Sequence, residues 1–193
     1  MLGFLKPGAP KPMVPKEQIM SVYHSKRFWA LAGVFLGYAA FYIVRNNFAL
    51  STPYLQSVLE LSKTQIGFLT SSMLIAYGIS KGVMSSISDK CSPKKFMVFG
   101  LIMCALMNLL MGFADSLTMF LILIVLNGFF QGFGVGPSFI TIAKWYPKSA
   151  RGTIGAIWNI SHNIGGGIIA PIVAAAFFFL SQDHWRLASY AVP

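Results

Sequence analysis

Five long apolar stretches alternate with short polar segments along this 193-residue chain. Each stretch holds about the 20 residues that a transmembrane helix needs. The stretches lie near 28–50, 64–87, 96–114, 117–142 and 153–180. A sixth begins near residue 185 and is too short to cross a bilayer before the sequence ends at residue 193. The pattern predicts an all-α membrane protein with five spans and a truncated sixth, preceded by segment 1–27 outside the membrane.

The positive charges lie in alternate connections between these stretches. The formal net charge of +10 suggests a nucleic-acid-binding protein, but such a protein collects its cations on one face. Here they are Lys6, Lys11, Lys16, Lys26 and Arg27 before the first span, Lys90, Lys94 and Lys95 after the second, and Lys144, Lys148 and Arg151 after the fourth. Short cytoplasmic connections of membrane proteins are rich in lysine and arginine. We therefore expect a cytoplasmic N-terminus, and we exclude nucleic acid as a partner.

Composition agrees with a multi-pass membrane protein. Hydrophobic residues make up 55% of the chain, charged residues 10%, and the mean hydropathy is +0.65. The few carboxylates lie in or near connections, the three histidines are widely separated, and no nucleophile stands beside a base. We predict that the chain is not an enzyme, and that it holds neither a metal nor a cofactor.

An arginine interrupts the first apolar stretch and needs an explanation. A charge at bilayer depth costs about 2.5–3.5 kcal/mol on insertion scales, so it normally faces protein or a watery cavity. Tyr38, Tyr42 and Arg45 follow at i, i+4 and i+7, which places two phenols and the guanidinium on one helical face. The planar guanidinium matches carboxylate or phosphate oxygens. The alternative is that Arg45 snorkels toward the outer interface.

Two further spans carry polar side chains of the same kind. Lys81 follows Tyr77 by four residues in the second span, and the alternative is that this lysine snorkels to the cytoplasmic interface. In the fifth span, Trp158 and His162 form an i, i+4 pair beside Asn159. A histidine can donate to phosphate, or it can simply bond between helices. These residues predict a cationic, aromatic-lined pocket that binds and releases an anion without chemistry.

Glycines are frequent within the spans, notably at 128, 132, 134 and 136 and in the run Gly165-Gly166-Gly167. In lipid, small residues let helices approach closely. The run is not a phosphate-binding loop, because no strand precedes it and no Lys-Ser/Thr pair follows it. We expect these glycines to serve helix packing.

Several motifs together resemble a known family. Ser-Asp-Lys-Cys-Ser-Pro-Lys-Lys (88–95) is similar to the cytoplasmic signature loop of the major facilitator superfamily. Tyr-Ile-Val-Arg-Asn-Asn-Phe (42–48), Tyr-Gly-Ile-Ser-Lys (77–81), Phe-Phe-Gln-Gly (129–132) and Trp-Asn-Ile-Ser-His-Asn-Ile-Gly-Gly-Gly (158–167) resemble the organophosphate:inorganic phosphate antiporters. Within that group, segments 45–55, 134–143 and 188–193 are most similar to the bacterial phosphoglycerate-transporting branch. Asn46 stands where the glycerol-phosphate and hexose-phosphate branches often have a basic residue.

The resemblance implies a twelve-helix fold built from two six-helix halves around a midplane site. This chain corresponds to the N-terminal half, with its sixth helix truncated and the C-terminal half absent from the sequence. The resemblance implies that Arg45 binds the phosphoryl group, opposite a second arginine in the missing half. The assisting and lining residues are then Lys81, His162, Tyr38, Tyr42, Tyr77, Trp158 and Asn159. Asp89, Lys90, Lys94 and Lys95 become a gating loop, and the alternative is a solvated cytoplasmic loop.

The implied function is exchange of a phosphorylated three-carbon acid for inorganic phosphate across the bacterial inner membrane by alternating access. Phosphoglycerate is the expected substrate, and phosphoenolpyruvate fits the same chemistry. The alternatives are a glycerol-3-phosphate or hexose-phosphate antiporter, or a transporter-like membrane sensor of sugar phosphate. The expected partners are the organic phosphate, inorganic phosphate, the lipid bilayer and the C-terminal half. We expect no transport by residues 1–193 alone.

Overall fold

The computed structural model describes residues 3–8, 14–180 and 185–191, and within them the chain is helical and without strands. The helices are α1 (Ile19–Val58), α2 (Lys63–Ser88), α3 (Pro93–Met111), α4 (Leu117–Gln131), α5 (Val135–Trp145), α6 (Arg151–Leu180) and α7 (Trp185–Tyr190). Single 3₁₀ turns lie at Gly3–Leu5, Lys16–Gln18 and Lys148–Ala150. The predicted all-α class is confirmed.

Five segments of the described chain are long and apolar enough to cross a membrane. They are Lys16–Val58, Lys63–Ser88, Pro93–Met111, Leu117–Trp145 and Lys148–Leu180, which agrees in number with the five apolar stretches. Helix α7 covers the first part of the predicted sixth span. The last two residues of that span, and residues 1–2 and 9–13 of the predicted N-terminal segment, lie outside the described residues.

Helix α1 is much longer than the apolar stretch 28–50 that predicted it. Its 40 residues extend for about 60 Å, twice the thickness of the hydrocarbon core. Pro53 lies inside the helix and cannot donate a backbone hydrogen bond to the carbonyl of Ala49. The Thr52 hydroxyl donates to that carbonyl instead, at 2.8 Å. This replacement satisfies the carbonyl that Pro53 leaves unpaired, and the helix continues to Val58.

The fourth apolar stretch, predicted as one span over 117–142, is one membrane-length segment, Leu117–Trp145, built from two helices. A tight turn at 132–134 separates α4 from α5. The backbone N–H of each turn residue donates to the carbonyl three residues earlier. The distances are 3.2 Å from Gly132, 3.1 Å from Phe133 and 3.4 Å from Gly134. Pro137 then lacks the N–H that would renew the helical pattern. Hydropathy alone did not predict this break, because the apolar segment Leu117–Trp145 runs through the turn.

Glycines bring the helix backbones together, as expected of small residues in lipid. Helix α1 packs chiefly against α6, and α2 packs chiefly against α4. A Cβ atom at Gly165 of α6 would overlap the carbonyl group of Ala39 in α1. A Cβ atom at Gly128 of α4 would overlap the carbonyl group of Met73 in α2. Both helix pairs therefore touch at a point where no larger residue fits.

Buried amide side chains tie α1 to its other neighbours. Asn47 Nδ2 donates to Asn108 Oδ1 of α3 at 2.7 Å, and Asn108 Nδ2 donates to the carbonyl of Cys104 at 2.9 Å. From α4, Gln131 Nε2 donates to the carbonyl of Phe41 at 3.1 Å. These bonds fix the turns of α1 on either side of Arg45.

Candidate functional site

Arg45 lies between two tyrosine rings at the α1–α2 contact. Its guanidinium carbon is 4.4 Å from the ring centroid of Tyr77 and 5.4 Å from that of Tyr42. The side chain is half-buried. Among the described residues the one ion pair within 4 Å joins Arg186 to Asp115, so Arg45 has no carboxylate partner there. Cation–π contacts hold the guanidinium and leave its N–H groups available to an anion.

The aromatic residues that line the predicted site form a ladder between α1 and α6. Tyr38 and Trp158 have ring centroids 4.4 Å apart, and Tyr42 and His162 are 5.2 Å apart. Tyr38 and Tyr42 also contact each other, at 5.4 Å. Both Tyr38 and Trp158 are buried, and Trp158 also packs against Phe139. These two rings therefore support the site, whereas Tyr42 and His162 remain partly open.

Lys81 reaches the same tyrosine as Arg45. Its ammonium nitrogen is 5.9 Å from the Tyr77 ring centroid, and the residue is exposed on α2. Two cations from different helices thus lie near the ring of Tyr77. Asn159 is exposed on α6, next to the buried Trp158. Seven of the eight predicted binding residues are joined by ring and cation contacts: Lys81, Tyr77, Arg45, Tyr42, His162, Tyr38 and Trp158. Among the described residues no such contact joins Asn159 to them.

A cavity of about 430 Å³ opens beside Arg45, between α1 and α2. It is lined by Tyr42, Arg45, Asn46, Phe48, Ala49, Thr52, Thr70, Met73 and Leu74. The polar lining residues Thr52 and Thr70 were absent from the predicted set. Thr52 follows Arg45 by seven residues, and this spacing places it on the same helical face. Nothing in the sequence around Thr70 indicated its position.

The predicted gating loop is exposed at Asp89, Lys90, Lys94 and Lys95. No ion pair within 4 Å joins Asp89 to these lysines in the described chain. Asp89 ends α2 and borders a pocket of about 270 Å³ whose other walls are Ser85, Ser86, Gly136, Phe139 and Ile140. Lys95 Nζ donates to the carbonyl of Lys6 at 3.3 Å. The gating role of this loop remains a prediction.

An aromatic and cationic cluster joins the first turns of α1 to the α5–α6 connection. The Tyr23 hydroxyl donates to the carbonyl of Trp145 at 2.7 Å. The Arg27 guanidinium carbon is 5.3 Å from the Tyr23 ring and 5.1 Å from the Tyr146 ring. Burial raises the pKa of Tyr146, and the positive charge of Arg27 offsets part of that shift. Arg151 Nε closes the cluster by donating to the Tyr146 carbonyl at 3.0 Å.

The described residues contain no group of three or more His, Cys, Asp or Glu side chains able to hold a metal ion. The polar groups at the site are instead cations, phenols, hydroxyls and an imidazole. Such groups bind anions through charge and hydrogen bonds.

Residues 34–192 match the sequence family described as the Major Facilitator Superfamily. The chain belongs to the major facilitator superfamily. It is 61% identical, over its whole length and 42% of the relative, to a protein of Salmonella typhimurium named phosphoglycerate transporter protein. It is 40% identical to the glycerol-3-phosphate transporter of Bacillus subtilis, over 90% of the chain and 40% of that protein. It is also 40% identical to the membrane sensor protein UhpC of Escherichia coli, over 91% of the chain and 40% of that protein.

These relatives confirm the resemblance to the superfamily and to its organophosphate transporters. The chain spans about two fifths of the length of the curated relatives it matches. With five candidate spans and this family membership, it is a multi-pass membrane protein.

Proposed function

We propose that this chain is the N-terminal half of an inner-membrane exchanger that takes a phosphorylated three-carbon acid in return for inorganic phosphate. The observation that carries the proposal is Arg45, half-buried between two tyrosine rings without a carboxylate partner in the described chain. The similarity to the protein named phosphoglycerate transporter supports phosphoglycerate as the substrate. Phosphoenolpyruvate belongs to the same chemical class.

The guanidinium of Arg45 binds the phosphoryl group through the N–H groups that the tyrosine rings leave available. Two parallel N–H groups meet two phosphoryl oxygens, and each such charged hydrogen bond contributes about 1.5–3 kcal/mol. His162, in ring contact with Tyr42, lies on the opposite helix and donates to the same anion. Lys81, whose ammonium nitrogen approaches the same Tyr77 ring as Arg45, supplies the additional cation that a carboxylated substrate needs.

Exchange follows from the charge of the empty site. Without an anion, closing the two halves would bury the Arg45 charge in a low dielectric medium, where an unpaired ion is costly. A bound organic phosphate or inorganic phosphate neutralises that charge and lowers the cost of the switch between access states. The C-terminal half of the same transporter completes the site in this proposal. The N-terminus lies in the cytoplasm, and loop 88–95 biases the access states from that side.

The test uses the complete protein that carries this chain, reconstituted in liposomes. Vesicles loaded with inorganic phosphate should take up labelled phosphoglycerate, and empty vesicles should not. Arg45→Lys keeps the charge but loses one of the two parallel bonds, so exchange at low substrate should fall about 10- to 150-fold for a loss of about 1.5–3 kcal/mol. Lys63→Gln, an exposed change at the start of α2, is the control and should leave exchange unchanged. Uptake into empty vesicles at the exchange rate would contradict the proposal.

A membrane sensor of organic phosphate is the second candidate, because UhpC is as similar to the chain as the glycerol-3-phosphate transporter is. The two candidates differ in one measurable property. A sensor binds phosphoglycerate, which raises its unfolding temperature, yet shows no exchange in the same liposomes. An exchanger shows both.

A further inference from the structure

The N-terminal segment is docked on the helices. We call Phe4-Leu5-Lys6 the strap. Leu5 is only 1% exposed, although its neighbours in residues 3–8 are exposed. It belongs to the buried cluster that contains Phe96 and Met97 of α3. A three-residue 3₁₀ turn presents this leucine, so the strap needs no helix of its own.

Three contacts fix the strap to the start of α3. The backbone N–H of Ser92 donates to the Leu5 carbonyl at 2.7 Å. Lys95 Nζ donates to the carbonyl of Lys6, and the rings of Phe4 and Phe99 meet edge to face with centroids 5.7 Å apart. Ser92 caps α3 without a side-chain bond to the helix. The strap therefore supplies the partner for the N–H at this helix start.

The strap contacts the loop that joins the site-bearing α2 to α3. Ser92 lies in the connection between α2 and α3, Lys95 lies in the first turn of α3, and α2 carries Tyr77 and Lys81. The cluster that buries Leu5 also includes Tyr38 and Trp158, which pack behind Arg45. A movement of the loop or of α3 must therefore either carry the strap along or release it.

We propose that the strap is an intramolecular latch on loop 88–95. It holds the loop in the conformation seen here and leaves it when the protein changes its access state. The contact consists of one buried leucine, one edge-to-face ring pair and two hydrogen bonds, which is small enough to break and reform in each cycle. The release of the strap during transport rests on the proposed function. The docking of the strap is inferred from its contacts alone.

Thiol labelling of the complete protein tests the docking. Cys91 is half-buried in the loop and packs against the cluster that contains Leu5, whereas Cys104 is fully buried and serves as the internal control. Leu5→Asp should raise the alkylation rate of Cys91 several-fold, because a carboxylate cannot occupy the buried position of the leucine and the strap leaves the cluster. Lys6→Gln is the matched variant, since only the backbone of Lys6 makes the contact, and it should change nothing. Equal rates in Leu5→Asp and the unsubstituted protein would refute the docking.

A reversible cross-link tests the release. Phe4→Cys with Phe99→Cys, in a Cys91→Ser background, places one thiol on each side of the present ring contact. A short bis-methanethiosulfonate reagent, which bridges two thiols through reducible disulfides, should link them and abolish phosphate exchange in liposomes, and reduction should restore it. Undiminished exchange by the cross-linked protein would contradict the release of the strap during transport. Failure to cross-link would contradict its docking near Phe99. Absence of exchange in the unsubstituted protein would instead overturn the proposed function, and Cys91 labelling would still decide the docking.

Discussion

Two glycines of one triplet in α6 allow a matched test of how α1 and α6 are held together. A Cβ atom at Gly165 would overlap the carbonyl group of Ala39, whereas at Gly167 nothing lies within 4 Å. Overpacking a filled contact costs about 1–3 kcal/mol. Replacing glycine by alanine in a helix gains about 1 kcal/mol of intrinsic propensity. That gain is common to both sites and cancels in their comparison.

We therefore expect Gly165→Ala to be less stable than Gly167→Ala by about 1–3 kcal/mol. The apparent unfolding temperature of Gly165→Ala should therefore be lower than that of Gly167→Ala by a few degrees. The assay is tryptophan fluorescence of the complete protein in detergent, with both variants heated at the same rate. Trp158 lies on α6 and stacks on Tyr38, so its emission should also shift in Gly165→Ala. Equal unfolding temperatures would refute the close contact of α1 and α6.

Three further predictions follow from other contacts. A double-mutant cycle of Asn47→Leu and Asn108→Leu, measured by thermal unfolding, should give a coupling free energy of about 0.6–1.7 kcal/mol. These values are the average and the maximum for hydrogen bonds between membrane helices. Additive effects of the two substitutions would contradict the bond. Lys81→Ala should weaken phosphoglycerate binding more than inorganic phosphate binding in a competition assay, and equal losses would refute its role toward the carboxylate. Glu60 has a φ of 52°, so Glu60→Gly should raise the unfolding temperature by relieving about 1 kcal/mol of strain, and a lower temperature would contradict this.

Hydropathy predicted the number of spans but not their internal structure. The five apolar stretches correspond to five membrane-length segments, because about 20 apolar residues are what a bilayer requires. The extension of α1 to Val58 depends on the Thr52 hydroxyl replacing the bond that Pro53 cannot make. The turn at 132–134 consists of N–H groups bonded to carbonyls three residues earlier, and Pro137 follows it without an N–H to donate. Both features are matters of hydrogen bonding, which a hydropathy average does not contain.

Helical spacing in the sequence predicts which candidate site residues lie on one face, but only for residues of the same helix. The positions of Tyr38, Tyr42 and Arg45 were predicted on one face of α1, and the structure extends that face across the contact to α6. The position of Thr70 depends on how the packing of α2 on α4 and α5 places it across the cavity from α1, a long-range property that no local spacing reveals. The docking of Leu5 was missed for the same reason, since its partners lie some ninety positions later in the chain.

The shared position of Tyr77 connects the packing to the proposed exchange. Arg45 and Lys81 both lie within 6 Å of its ring centroid, so two like charges meet at one aromatic side chain. The ring face attracts each cation, but it cannot neutralise either of them. Close packing at Gly165 and Gly128 and the amide bonds of Asn47 and Gln131 prevent the helices from separating to reduce the repulsion. In the proposed exchanger, a phosphate-bearing anion relieves it directly, and an organic phosphate with a carboxylate satisfies both cations. We therefore propose that the framework around Tyr77 contributes to substrate affinity by holding two cations near one ring.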